Sequence, residues 1–287
     1  MSLDVLQAKQ TSSAPPAVLR PFRRLRTHTG CLQGLDYLWL EITQSCNLTC
    51  RHCYTESSPS LPITDGMQMA DWRRVMEEAG EIGCRRIQFI GGEPTVHPGL
   101  VELIEHAKEL GFKFCEVFTN ATLISDELIE TFKRHRVRVA SSFYSHDPGT
   151  HDRITAQEGS FEKTVEGIEK LVRNRIPTRV GVIKLDENAT HVKQAKRYLR
   201  RLGVRFIGQD RLRSIGRGQR YASTNNGTPQ LCGQCWRRKL CITPNGDAYP
   251  CVFSRTVPVG NFLTDGIQGV LNEQRLQEFR RDVYLGM

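Results

Sequence analysis

The feature that most constrains this chain is an alternation of strand-like and helix-like segments running from about residue 36 to residue 208. LDYLWLEIT reads as a short apolar strand ending at Thr43, and MADWRRVMEEAGEIG as a helix closing at Gly83. RRIQFI is a buried strand, PGLVELIEHAKELG a helix with Gly111 just past its end, and FKFCEVFT a strand. SDELIETFKRH reads as a helix capped by Ser125, VRVASSFY as a strand, and SFEKTVEGIEKLVRN as a helix with Ser160 at its N-cap. TRVGVIKL, ATHVKQAKRYLRRLG and VRFIG continue as strand, helix and strand. Such alternation with short connections demands parallel strands and right-handed crossovers. The fold class is therefore α/β, as an open doubly wound sheet or a sheet curled into a barrel. In both, functional residues gather at the C-terminal ends of the strands. A cysteine-rich loop follows the first strand, GGEP the second and TNAT the third, so three unusual segments converge on one expected site.

The flanks differ. Residues 1–34 are rich in Ser, Pro, Ala and Arg without periodicity, and are expected to form a flexible basic lead-in before a core over 35–210. From 211 to 287 the alternation stops, GRG, TNNGT and TPNGD appear, and a small loop-rich domain held by metal is expected. No run of eighteen apolar residues and no secretory signal is visible, so neither a membrane span nor export is expected. A cytoplasmic protein with ten cysteines points to metal or redox chemistry rather than structural disulfides. Seven of the ten fall in two groups, whereas Cys84 and Cys115 read as small buried hydrophobes and Cys31 receives no role. The formal net charge is +9, with arginines gathered near 20–26, 197–205 and 211–220, which favours an acidic partner over a basic one.

The first group is Cys46, Cys50 and Cys53, spaced C-x3-C-x2-C. Structural zinc asks for four ligands, and His52, adjacent to Cys53, is badly placed to join the same ion. A four-iron cluster takes one thiolate per iron, so three would leave one iron open. An open position is what a catalytic metal keeps for something that comes and goes.

With GGEP after the next strand, this loop resembles the signature of the radical S-adenosylmethionine (radical SAM) enzymes. The resemblance covers about residues 36–208 and implies a partial (β/α)6 barrel, similar to a TIM barrel, with a [4Fe-4S] cluster on Cys46, Cys50 and Cys53. It implies that Gly91, Gly92, Glu93 and Pro94 hold the amino end of the methionine moiety. Thr119-Asn120 resembles the family's TNG segment, with Ala121 in place of glycine, making Asn120 a cofactor residue. In SSFYSHDPGTHDRI, Ser142 and Arg153 would contact the methionine or ribose, although Tyr144 stands where an Asp is common. His52 and Tyr54 flank the third cysteine, where the family contacts adenine. The implied chemistry is one-electron cleavage of S-adenosylmethionine to a 5′-deoxyadenosyl radical that abstracts hydrogen from a substrate, fed by a flavodoxin- or ferredoxin-type donor.

The second group is Cys232, Cys235, Cys241 and Cys251, spaced C-x2-C-x5-C-x9-C around a PNGD turn at Gly246. Four thiols suffice for one four-iron cluster or one zinc. The pattern resembles the opening half of a SPASM domain. No cysteine follows Cys251, so the shortened twitch version with a single auxiliary cluster is the expectation. Oxidation or cross-linking of a ribosomal peptide is the expected reaction, and a radical dehydrogenase, decarboxylase or lyase on a small metabolite is the alternative. No separate leader-binding domain is visible. A metal-dependent nucleic-acid binder is the rival from another class, and neither a helix-turn-helix nor zinc-finger spacing supports it. Tyr144, Lys184 and Asp186 lie near strand ends without an assignable role.

Overall fold

The computed structural model describes residues 34–64, 66–221 and 231–286. The expected lead-in, apart from Gly34, and Cys31 and TNNGT lie outside the described residues.

Six strands, β1 (Tyr37–Glu41), β2 (Arg86–Ile90), β3 (Phe114–Thr119), β4 (Arg138–Phe143), β5 (Thr178–Lys184) and β6 (Phe206–Arg211), pair in parallel in sequence order. The helices between them are α1 (Met69–Glu81), α2 (Leu100–Glu109), α3 (Asp126–Arg134), α4 (Pro148–Thr155) with α5 (Ser160–Arg173), and α6 (Val192–Arg201). This is the α/β partial barrel that the alternation and the resemblance implied. The period of two divides every strand between two environments. Leu38, Leu40, Ile87, Phe89, Val117, Val139, Val180 and Val182 are buried in the core that also takes Trp72, Met76, Leu103, Phe132, Ile168 and Leu199 from the helices. Tyr37, Trp39, Gln88, Phe118, Ser142, Arg179, Gly181 and Gly208 turn to the opposite face and line a cavity. Cys84 and Cys115 are buried in the core, as read from the sequence.

Two local expectations differ. Ser125 caps α3 by accepting from Leu128 N at 3.1 Å, as read. Ser160 does not cap α5: the cap is Gly159 at φ 74°, and the carboxylate of Asp152 accepts from Gly159 N, Ser160 Oγ and Phe161 N, each at 2.8 Å. An aspartate from α4 thus replaces the local serine. That short helix is absent from the sequence reading, although Asp147 caps it through Thr150 N and Pro148 opens it.

The C-terminal part continues the sheet. β7 (Lys239–Ile242) pairs in parallel with the free edge of β1, setting Cys241 beside Trp39, and β8 (Ala248–Tyr249) pairs antiparallel with β7. The strand order is β6-β5-β4-β3-β2-β1-β7-β8. α7 (Phe262–Asn272) packs on α1, where Glu78 accepts from Ile267 N at 2.7 Å, and α8 (Gln274–Leu285) follows.

Candidate functional site

The loop after β1 is held by its neighbours rather than by itself. Ser45 and Ser58 bridge its two ends, and Cys46 N donates to Ser58 O at 3.2 Å. The GGEP segment lies directly against it. Gly92 N donates to Thr43 O at 2.8 Å and Glu93 N to Ser45 O at 2.9 Å. Both glycines are dictated by this approach. A Cβ on Gly91, at φ 151°, would stand 2.5 Å from Thr43 O, and one on Gly92 would stand 2.1 Å from Ser45 O.

Glu93 is 1% exposed and fastens three loops together. Its Oε1 accepts from Thr119 Oγ1 at 2.6 Å and from Thr95 Oγ1 at 2.7 Å, and its Oε2 accepts from Asn120 N at 2.6 Å. Burial raises this carboxyl's pKa, and the donors oppose that rise. Asn120 carries the link back to the cysteines. Its Nδ2 donates to Asn47 Oδ1 at 2.8 Å and lies 3.9 Å from Cys46 Sγ, which also receives Leu48 N at 3.4 Å.

Cys46 is buried, and Cys50 and Cys53 are partly exposed to the cavity. Burial, then the nearby Glu93, push the Cys46 thiol up to about 12; burial, then Cys53 and Cys46, raise Cys50. Three soft donors that repel one another as thiolates are a set that a cationic metal centre stabilises. They fit three corners of a four-iron cluster. His52 packs edge-on against Tyr144 at 4.9 Å, and burial lowers its pKa to about 4. Tyr144 lies within electrostatic range of all three thiols, in the place of the family's Asp.

In the second group, Cys235 and Cys251 bring their sulfurs to 3.3 Å. Cys251 is lowered to about 6 and Cys235 raised, the Cys235 thiol donating to the Cys251 sulfur. Cys241 is buried within range of Cys251, and the exposed Cys232 within range of Cys235. Among the described residues no three His, Cys, Asp or Glu side chains converge on one ion-sized point. A cubane asks instead for thiolates on separate irons.

Between the two groups stands Tyr54. Its hydroxyl donates to Glu41 Oε1 at 3.3 Å, its ring meets Phe253 edge-on at 5.2 Å, and Arg255 lies over the ring at 5.4 Å while pairing with Glu41. Cys53 and Cys241 both lie within electrostatic range of its phenol. A cavity of about 600 Å³ opens beside it. Cys50, His52, Cys53, Tyr54, Gly91, Gly92, Asn120 and Ser142 line it, and so do Val252 and Phe253, the residues following Cys251. Cys46, Glu93 and Pro94 sit behind that lining, and Arg153 donates to Thr150 Oγ1 at 2.9 Å within α4.

The sequence reading missed the clamp on the cysteine loop. Arg217 donates through Nε to Cys50 O at 2.9 Å, through Nη2 to Ser57 O at 2.7 Å and through its backbone N to Cys53 O at 3.0 Å. Gly216, at φ 55°, sits so close that a Cβ would meet Cys53 O and Tyr54 O at 2.6 Å. The GRG triplet at 216–218 was the visible signal.

The Radical SAM superfamily model matches residues 40–199, more than half of the chain, and the chain belongs to that superfamily. The SPASM iron–sulfur cluster-binding domain matches residues 232–286, which decides between iron–sulfur and zinc for the C-terminal part. The chain is thus a radical SAM enzyme that uses a [4Fe-4S] cluster, S-adenosylmethionine and an auxiliary iron–sulfur cluster. It is similar to the antilisterial bacteriocin subtilosin biosynthesis protein AlbA of Bacillus subtilis, 25% identical over 309 residues, covering 94% of this chain and 66% of that protein. It is 31% identical to the PqqA peptide cyclase of Bradyrhizobium diazoefficiens over 152 residues, covering 52% of this chain and 39% of the cyclase. The chain spans less than two thirds of either. Its fold matches Streptococcus suis SuiB bound to precursor peptide SuiA, with a TM-score of 0.64 at 16% identity, covering 90% of this chain and 67% of SuiB. Among the described residues no helix is long and apolar enough to cross a membrane.

Proposed function

We propose that this enzyme oxidises or cross-links a residue of a ribosomal peptide held in the cavity between two iron–sulfur clusters. The observation that carries the reading is that one cavity is lined both by Cys50 and Cys53 and by Val252 and Phe253, the segment following Cys251. A substrate lodged there lies within reach of both centres, as an oxidoreductase needs if it removes a hydrogen atom and then an electron. The relatives named for subtilosin and PqqA maturation, and the SuiB complex with its precursor peptide, support a peptide as the substrate.

In this reading Cys46, Cys50 and Cys53 hold three irons, and the fourth is left to S-adenosylmethionine. Cys232, Cys235, Cys241 and Cys251 ligate the auxiliary cluster fully. The chemistry these groups supply when bound is one-electron cleavage of the sulfonium and removal of a hydrogen atom from the substrate. The chain's own part is positioning. Gly91 and Gly92 bring backbone to the cavity wall, and Glu93 fixes those loops from behind. Asn120 hydrogen-bonds near the Cys46 sulfur, a contact of the kind that tunes cluster potential. His52 and Tyr144 form an aromatic wall for a flat ring, and Ser142 opens onto the cavity beside them. Arg153, held by Thr150 Oγ1 within α4, would contact the methionine or ribose, as the resemblance implies. Tyr54, Glu41 and Arg255 fill the space between the two thiol groups. The core over 35–210 and the auxiliary domain over 211–287 thus work as one site. We place the enzyme in the cytoplasm, where its thiols stay reduced for metal loading and a flavodoxin or ferredoxin supplies electrons.

The test is to incubate the reconstituted protein with S-adenosylmethionine, a reductant and candidate peptides. The expected result is 5′-deoxyadenosine together with a peptide lighter by two hydrogens. 5′-Deoxyadenosine formed with a sugar, nucleoside or carboxylate, and no change in any peptide, would favour the small-metabolite alternative.

A further inference from the structure

Strand β6 ends the sheet on the side opposite β7. Its residues alternate in direction. Leu212 N donates to Lys184 O of β5, so the even-numbered residues of β6 face β5, and Ile207, Gln209 and Arg211 turn their backbone groups outward. Arg211 N is taken by Asp210 Oδ1 at 2.8 Å. For Ile207 and Gln209 the outer N–H and C=O meet no partner strand among the described residues. An open edge of this kind is a template for another strand.

Both sides of that edge have a definite character. On the concave side, Gly181 and Gly208 lie opposite each other in the ladder and both line the cavity. A Cβ on Gly208 would meet nothing within 4 Å, so this stretch of wall is bare backbone. Phe206, on the same face, is 62% exposed. On the convex side lies α6, VKQAKRYLRR, which contains no acidic residue. Lys196 reaches β6 by donating to Gln209 Oε1 at 2.8 Å, and Lys193 and Arg200 share its helix face at spacings of three and four. Lys193, Lys196, Arg197, Arg200, Arg201 and Arg205 make no ion pair among the described residues.

We infer that the outer edge of β6 is the docking strand for an extended acidic peptide. The peptide adds to the sheet through the outward groups of Ile207 and Gln209. Its alternate residues, acidic, face Lys193, Lys196 and Arg200. The residues between them turn to the concave side over Gly208, into the cavity that the two thiol groups bound. Backbone pairing supplies affinity, and the period of two supplies the register that selects the residue presented. The inference rests on the peptide reading above, and it adds the route of entry and the charge pattern of the partner.

The test is fluorescence anisotropy on the anaerobically reconstituted full chain. The probe is a labelled ten-residue peptide with Glu at alternate positions. Controls are its Lys and Gln counterparts and a copy N-methylated at alternate amides. Gln209→Pro removes an outward N–H that β5 does not use, and proline is tolerated on an outward-facing edge. Lys193→Glu/Lys196→Glu/Arg200→Glu reverses the flanking charge, and circular dichroism verifies that both variants fold. The Glu peptide is expected to bind tightest, and more weakly as salt rises. N-methylation and Gln209→Pro should each weaken it up to about tenfold, and the charge reversal more than about tenfold. Equal binding of the N-methylated peptide, or full displacement of the probe by a single-stranded oligonucleotide, overturns the inference. If wild type binds a peptide that both variants bind equally, the edge is wrong and the peptide reading stands. If wild type binds none of the peptides, the docking strand falls, and the peptide reading is decided separately by the 5′-deoxyadenosine and peptide-mass test above.

Discussion

Replacing Arg217 by Met should loosen the cysteine loop without unfolding the protein. The side chain donates two charge-assisted bonds, to Cys50 O at 2.9 Å and Ser57 O at 2.7 Å, from 160 or more residues away in sequence. A hydrogen bond to a charged group contributes about 1.5–3 kcal/mol, and the low end applies because Arg217 is half-buried. Losing both costs about 3 kcal/mol, which is roughly a hundredfold in the equilibrium between closed and open loop. Methionine retains the length and the apolar stem, and the backbone bond from residue 217 to Cys53 O remains. Local opening is read by amide hydrogen exchange, and Cys53 N, which donates to Cys50 O at 3.2 Å, is the reporter. In the anaerobically reconstituted variant, protection of the 46–58 segment should fall by about a hundredfold. Protection of β3 and β4 should be unchanged. Iron release to a chelator should quicken in parallel. Protection of 46–58 within about threefold of wild type, under 1 kcal/mol, would refute the argument that this arginine clamps the loop.

Further outcomes follow from the same geometry. Cys46→Ala, Cys50→Ala and Cys53→Ala should each abolish 5′-deoxyadenosine release; substantial release from any of them would remove that residue from the cluster. Gly92→Ala drives a methyl to within 2.1 Å of Ser45 O and should displace the cysteine loop, seen as loss of the cluster's visible absorption after reconstitution. An intact spectrum would show that the loops can part. Glu93→Ala leaves donors on Thr119, Asn120 and Thr95 without their acceptor. Unsatisfied buried groups cost about 1–3 kcal/mol each. The variant should lower the melting temperature and weaken S-adenosylmethionine binding together, and weakening with an unchanged melting temperature would mean direct contact instead. Tyr54→Phe removes the bond to Glu41 and should slow electron exchange between the two clusters in freeze-quench spectra, with equal rates speaking against a bridging position.

Much of this was legible in the chain. Period-two and helical patterns were strong enough to give all six parallel strands. Five of them pack one face in the core, where buried residues leave a clear signature, whereas β6 carries no buried residue and was legible from its place in the alternation. The cysteine loop, GGEP and TNAT were legible as a site because each follows a strand, and parallel topology collects such ends. The contacts that fix them were not. Arg217 reaches Cys50 from 167 residues away in sequence, and nothing local in GRG says which carbonyls it meets. β7 joins the edge of β1 through backbone pairing, which any sequence can supply, so KLCI gave no hint that the C-terminal part extends the core sheet. α7 and α8 escaped notice because cysteines and turn residues dominate the start of that region. Ser160 misled for a related reason: a local cap was visible, and the capping carboxylate came from Asp152 on another helix.

The central claim is that two sets of thiols hold two clusters on either side of one cavity. Iron and sulfide per chain after anaerobic reconstitution test it most directly. The comparison is wild type, the Cys46/Cys50/Cys53→Ala triple variant and the Cys232/Cys235/Cys241/Cys251→Ala quadruple variant. The account predicts about eight irons in wild type and about four in each variant, one cubane per intact set. About four irons in wild type, with none left in the triple variant, would leave the C-terminal thiols without a cluster and contradict it.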